Sequence, residues 1–412
     1  MSATVDAKKF SDYLGQAPIL EVPGRTFPVE VQYLEDAIDQ TKYRGTDKRE
    51  HVLEEEEADV DFDPDPDDPT STNNATDLSR YSVQTRATLA KMDNDHRLPF
   101  DLIVKLLEKI PSGEHSTYSK ATLIFLPGIA QIRKLRGMLL SHRTFTGTYE
   151  IFTLHSSIAS EEQQRAFLPP PRGKRKIVLA TNIAETGITI PDITCVIDTG
   201  RHKEIRFDER RQLSRLIVSY ISQANAIQRR GRAGRVQNGL CFHLFSKTRF
   251  ERMAKEQTPE MLRLSLQDLV LRLKICGLGS IEESLAQALD PPSVKNVRRA
   301  VDALQDVKAL TPSQELTVLG RQLARLPLDV FLGKLLILGS IFGCLDATLT
   351  IAAILSSKSP FVASVDTQSQ ADKARLSFRR GDSDLLTAYN AYSSWRRVCN
   401  TTGVSEQYFC RT

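Results

Sequence analysis

The sequence is poor in the features that staple small secreted domains or anchor a chain in a bilayer. Its six cysteines (Cys195, Cys241, Cys276, Cys344, Cys399 and Cys410) are scattered through 412 residues, with no CxxC pair and no histidine at ligand spacing. This argues against a disulfide framework or a zinc site, and free thiols in a reducing compartment account for the pattern. No apolar run reads as membrane-spanning: Leu332 to Leu355 is interrupted by Lys334, Asp346 and several glycines and threonines, which suits packed helices. The N-terminus has neither the basic nor the apolar region of a signal peptide. No Gly-x4-Gly-Lys-Ser/Thr loop and no Asp-Glu-x-His tetrapeptide occurs. The usual cradle for a triphosphate and its magnesium is therefore absent from these residues.

Charge is unevenly spread. Residues Glu54 to Asp68 contain ten acids and no base, so that without them the net charge of +4 would become +14. A basic body is the footprint of a polyanion binder. The acidic run lies within a proline-dotted stretch, 41–80, that cannot bury enough apolar surface to order itself and is expected to be a disordered insertion.

Elsewhere strands and helices alternate. Ala121–Leu126, Tyr149–Leu154, Lys176–Thr181 and Cys195–Asp198 are short apolar runs of the kind found in buried parallel strands, with helical patterns between them. Such alternation predicts a doubly wound parallel sheet whose ligands sit beyond the carboxyl ends of the strands. After Phe245 the strands give way to helices. One of these is predicted to open at Thr258-Pro259 and to present Leu266, Leu269, Val270, Leu273 and Ile275 as its apolar face.

The densest stretch lies between Ala180 and Arg235. One motif is Ala180-Thr181-Asn182-Ile183-Ala184-Glu185-Thr186-Gly187-Ile188-Thr189-Ile190, following a strand. The other, Gln228-Arg229-Arg230-Gly231-Arg232-Ala233-Gly234-Arg235, places four arginines and two glycines among eight residues. Glycines permit close backbone approach, and guanidinium forks grip phosphate oxygens bidentately.

The pair resembles motifs V and VI of the superfamily 2 helicases, in the form carried by the DEAH/RHA family of ATP-dependent RNA helicases. The resemblance runs over nearly the whole chain, starting with Ser2-Ala3-Thr4, which resembles motif III. It implies an α/β chain with a RecA-like doubly wound parallel sheet, followed by mainly α winged-helix and ratchet-like (helicase-associated) domains. The implied boundaries are 1–24 for a remnant of a first RecA-like domain, 25–247 for the second, 248–326 for the winged helix and 327–412 for an incomplete ratchet domain. Residues 201–215 match the position of a strand-separating hairpin. The implied activity is ATP hydrolysis coupled to 3′-to-5′ translocation on RNA. ATP is then the cofactor, with its Mg2+ ligands in the first domain, so the 412 residues alone are expected to be inactive.

By the same resemblance Arg232 and Arg235 reach the γ-phosphate, Gln228 orders the attacking water, Phe167 stacks on adenine and Thr189 meets the ribose. Ser157, Thr181 and Asn182 touch the RNA backbone, and Ser2, Thr4 and Glu185 couple the two activities. Where spliceosomal members place Asp-Gly after Thr-Ile, this chain has Pro191-Asp192, so a ribose contact does not carry over to Asp192. Of Arg229 and Arg230, one is a candidate for tying motif VI to motif V. The implied setting is cytoplasmic, with RNA, the small ribosomal subunit or another ribonucleoprotein as partner. A non-catalytic RNA-binding protein is the alternative that the missing phosphate loop favours.

Overall fold

The structure, a computed structural model, describes residues 6–22, 27–45, 78–93, 97–156, 158, 160–185, 189–208, 213–357, 373 and 375–402. These form two compact units, one of residues up to Thr258 and one from Pro259 onward. No helix among the described residues is long and apolar enough to cross a membrane.

The first unit is built on a six-stranded sheet, all parallel, of strands β1 (Val29–Gln32), β2 (Ala121–Phe125), β3 (Tyr149–Leu154), β4 (Arg175–Ala180), β5 (Cys195–Asp198) and β8 (Gly239–His243), in the order β1-β8-β5-β2-β4-β3. Strand alternation divides the core into two layers. Ile124, Ile177, Ile197 and Phe242 face helices 34–41, 100–109 and 129–141, while Leu123, Phe125, Val178, Val196 and Cys241 pack with Leu154, Ile190 and Ala233 on the other side. Strands β2 and β5 are buried on both faces, which is why they read as near-continuous hydrophobic runs.

Strands β6 (Arg201–Asp208) and β7 (Leu213–Tyr220) pair antiparallel as a separate hairpin, extending the charged 201–215 segment to Tyr220. The alternating run Phe27–Leu34 contributes only four residues to the sheet. The Tyr33 amide donates to Asp36 Oδ2 at 2.9 Å, which starts a helix, Leu34–Thr41, where a longer strand would otherwise run. The acidic run falls outside the described residues. On its two sides, Tyr81 Oη donates to Asp36 Oδ1 (2.7 Å) and Thr85 Oγ1 to Asp39 Oδ1 (2.8 Å).

In the second unit the predicted helix after Pro259 is two helices, Glu260–Arg263 and Gln267–Ile275. Leu264 adopts an extended conformation (φ −106°, ψ 166°) between them. That kink turns Leu266 into a core shared with Val270, Leu271, Val297, Val301 and Leu304, while Ile275 ends up exposed. A short antiparallel bridge joins Leu310 to Leu316. Helices Val330–Ile341 and Leu345–Ser356 cross where Gly339 meets Thr348: a Cβ on Gly339 would lie 2.1 Å from the threonine hydroxyl oxygen.

Gly234 is another glycine whose missing side chain is structural. The Phe27 amide donates to its carbonyl at 2.9 Å, and a Cβ there would lie 2.5 Å from the Phe27 carbonyl oxygen. The edge strand β1 thus docks on the end of the arginine motif. Gly234→Ala should cost about 1–3 kcal/mol in urea denaturation, the scale of overpacking. An unchanged midpoint would mean that β1 does not depend on this approach.

Candidate functional site

The arginine motif begins inside a helix, Gln223–Arg230, whose N-cap is Ser222; the serine hydroxyl accepts from the Asn225 amide at 3.2 Å. The helix passes over the carboxyl end of β5 and delivers Arg229 into the interior, where it is wholly shielded from solvent. Its Nε donates to Glu185 Oε2 (2.9 Å), and its Nη1 donates to Asp198 Oδ1 (2.9 Å) and to the Arg201 carbonyl (3.2 Å). The guanidinium carbon sits 4.8 Å from the centroid of the Phe125 ring, a cation–π contact.

Glu185 is the meeting point of the two motifs. Besides Arg229, its carboxylate accepts a hydrogen bond from Asn225 Nδ2, and its backbone carbonyl accepts one from Arg232 Nη2. Three side chains of the 225–232 segment therefore end on one residue of the motif at 180–190. The assignment of Glu185 as a link rested on resemblance. Of the two arginines offered for tying the motifs, Arg229 is the one that reaches Glu185 and Asp198, and Asn225 joins it on Glu185. Asp198 closes an otherwise apolar strand, Cys-Val-Ile-Asp, and an acid in such a place is itself a sign of a buried partner.

The other residues singled out differ in their surroundings. Gln228 is half-buried, and its Oε1 is enclosed with no hydrogen-bond partner among the described residues. Arg232 is half-buried and Arg235 exposed. Thr181 is buried at the carboxyl end of β4, its amide bonded to the Leu154 carbonyl (3.3 Å), and Asn182, itself exposed, opens a turn of 3-10 helix that buries Ala184. Thr189 is exposed. Phe167 is half-buried against the layer containing Leu123 and Phe125, so part of its ring is core. Ser2, Thr4 and Ser157 lie outside the described residues. Asp192 pairs with the buried Lys176 (2.9 Å).

Opposite charge holds the buried groups ionised. Burial alone would raise the Asp198 carboxyl. Arg229, His243 (Nδ1 3.4 Å from Oδ2) and the Gly200 amide (2.9 Å) together hold it below its ordinary value. Burial would likewise lower the Arg229 guanidinium, but Asp198 and Glu185 raise it. Arg232 is different: burial and repulsion from Arg235 lower it, with Glu185 opposing. Two guanidiniums are close enough to repel, an arrangement that favours an anion between them.

Comparison with known proteins adds to this geometry. Residues 100–237 match the helicase conserved C-terminal domain, and residues 329–388 match the helicase-associated domain HA2, described as ratchet-like. The chain is 43% identical over 431 aligned residues to the ATP-dependent RNA helicase dhx29 of Xenopus laevis, covering 100% of this chain and 32% of that protein. It is 41% identical to the DExH-box ATP-dependent RNA helicase DExH3 of Arabidopsis thaliana, covering 96% of this chain and 34% of that one. With the mouse ATP-dependent DNA/RNA helicase DHX36 it shares 39% identity over 100% of this chain and 42% of that one. The crystal structure of the E. coli DExH-box NTPase HrpB superposes with a TM-score of 0.64 at 28% identity, covering 98% of this chain and 40% of the other. The chain thus spans about a third of the length of the first of these relatives.

Because the folded Asp198 carboxyl is held below its unfolded value, its stabilising contribution is present at neutral pH and is lost as pH falls through the folded value. Asp198→Asn should therefore destabilise the protein at neutral pH, and the penalty in urea denaturation should shrink as pH drops below about 4. A penalty constant with pH would show that the Asp198 charge is not what Arg229 answers.

Proposed function

The chain belongs to the DEAH/DExH-box family of ATP-dependent RNA helicases, with the family's conserved C-terminal and ratchet-like associated domains, and from that premise we propose that it supplies trans-acting charge and RNA-backbone contacts to ATP-driven 3′-to-5′ movement on RNA. The observation that carries this reading is the convergence on Glu185. The turn bearing Thr181 and Asn182 and the loop bearing Arg232 share this residue, so displacement of one is felt by the other.

The donor set suits a triphosphate. Arg235 is exposed, Arg232 is half-buried, and the repulsion between them is relieved when a polyanion lies in their reach. On a transferring phosphoryl group they stabilise the charge that spreads over its oxygens, because they are fixed before the reaction rather than reorganised during it. Arg232 is fixed by its bond to the Glu185 carbonyl. Gln228 Oε1, enclosed and without a hydrogen-bond partner among the described residues, is the acceptor assigned to the attacking water. Phe167 stacks on the base and Thr189 meets the ribose. Thr181 and Asn182, with Ser157, hold the RNA by phosphate and sugar, which gives little sequence preference. Magnesium is assigned no ligand in this lobe, and Ser2 and Thr4 join Glu185 in coupling.

On this reading the purified 412-residue chain hydrolyses no ATP above background, and supplying a relative's phosphate-binding lobe restores RNA-stimulated turnover. In that restored system Arg235→Ala should lower hydrolysis by about a thousandfold, the scale of an arginine finger, with nucleotide-free RNA binding unchanged. Lysine at position 235 should not rescue, since a point charge cannot reproduce the planar fork. Thr181→Ala should lower RNA stimulation more than basal turnover. If Arg235→Ala weakened RNA binding while hydrolysis survived, the non-catalytic RNA-binding reading would replace this one.

A further inference from the structure

Lys176 is a wholly buried charged residue of the sheet that the chemistry above does not use. It lies near the start of β4 with its side chain wholly removed from solvent, on the layer that also holds Phe152 and Phe167. An ammonium in such a place must be bonded, because burying it alone costs far more than burying an apolar group of the same size. Its Nζ donates to Asp192 Oδ1 (2.9 Å) and Oδ2 (3.1 Å) and to the Leu168 carbonyl (3.0 Å), and it stands 5.7 Å from the centroid of the Phe152 ring.

These two partners belong to different loops. Leu168 directly follows Phe167 and precedes three prolines, Pro169, Pro170 and Pro171, which lock the backbone that leaves it. Asp192 follows Thr189 by three residues, through the buried Ile190 and the conformationally fixed Pro191. Each partner is therefore rigidly connected to a residue assigned to the nucleotide. The two bonds are also asymmetric. Asp192 is partly exposed and would be hydrated without the lysine, whereas the lysine has no solvent to fall back on. An apolar side chain could fill the same space without the desolvation cost. What the ammonium adds is a fixed distance between the Phe167 loop and the Thr189 loop.

We infer that Lys176 is a positioning residue for the base-and-ribose half of the nucleotide pocket, holding the Phe167 and Thr189 segments in register through Leu168 and Asp192. The inference rests on the reading of Phe167 and Thr189 given under Proposed function. It separates the pocket into two independently anchored halves: base and ribose on Lys176, and phosphates on the Glu185–Arg229 cluster.

The separation can be measured by titrating the 412-residue chain with ATP and, separately, with inorganic tripolyphosphate, followed by heteronuclear NMR. Lys176→Met should weaken ATP binding by about tenfold, the order of loss that follows a small misplacement of binding groups. Tripolyphosphate binding, which uses only the arginines, should stay unchanged. The double variant Lys176→Met/Asp192→Asn leaves no charge unpaired, so it reports even where the single variant folds poorly, and it should show the same selective loss. Phe167→Ala tests the underlying assignment. If that variant leaves ATP binding unchanged, the pocket reading fails, and the positioning role fails with it. If Phe167→Ala weakens ATP binding while the Lys176 variants do not, the positioning role alone is overturned. Equal weakening of both ligands in the Lys176 variants would mark Lys176 as a general structural residue and also overturn it.

Discussion

Arg229 is the largest wholly buried side chain among the described residues, and it lies between two carboxylates that sit on different elements. A guanidinium cannot shed its proton to escape burial, so the surrounding structure must neutralise it. Asp198 at the end of β5 and Glu185 in the turn after β4 do so, and the Arg201 carbonyl takes a further hydrogen bond. Breaking such a pair by removing one partner costs about 3–5 kcal/mol, far more than forming it gains over an apolar replacement. The consequence is specificity of position: the helix carrying Arg229 has one seating that leaves no charge stranded.

From that seating the rest of the site follows. The helix that buries Arg229 ends at Gly231, and the next turns place Arg232 against the Glu185 carbonyl and leave Arg235 at the surface. Gly234 then admits β1 at a distance that no side chain would allow. A buried salt bridge, a cap and a glycine contact thus fix one short loop from three sides. On the proposed function this matters, because a catalytic group gains most when it is held before its substrate arrives.

The parallel sheet was legible in the sequence because β2, β4 and β5 are buried almost throughout and so read as apolar runs. The motifs were legible through their resemblance to a known family, and the division of roles between Arg232, Arg235 and Thr181 is what that resemblance implies. Three things were not. The break at Leu264 has no glycine or proline to announce it, and only the burial of Leu266 explains it. Arg229 was one of two arginines offered for tying the motifs, and nothing chose it over Arg230, since its partners lie 44 and 31 residues away and sequence spacing does not report contacts closed by the sheet. Lys176 looked like the polar start of a strand. Its burial depends on Asp192 and on the carbonyl of Leu168, neither of which carries a local pattern.

The account stands on the claim that Glu185 and Arg229 join the two motifs as one unit. A double-mutant cycle tests it directly: Glu185→Gln, Arg229→Met and the combination, each followed by urea denaturation at neutral pH. The account predicts that the two changes are strongly non-additive, with an interaction energy of about 2–3 kcal/mol, because each single change strands a charge that the other relieves. Additive losses would contradict it, showing that the contact is incidental and that the motifs are held apart from one another.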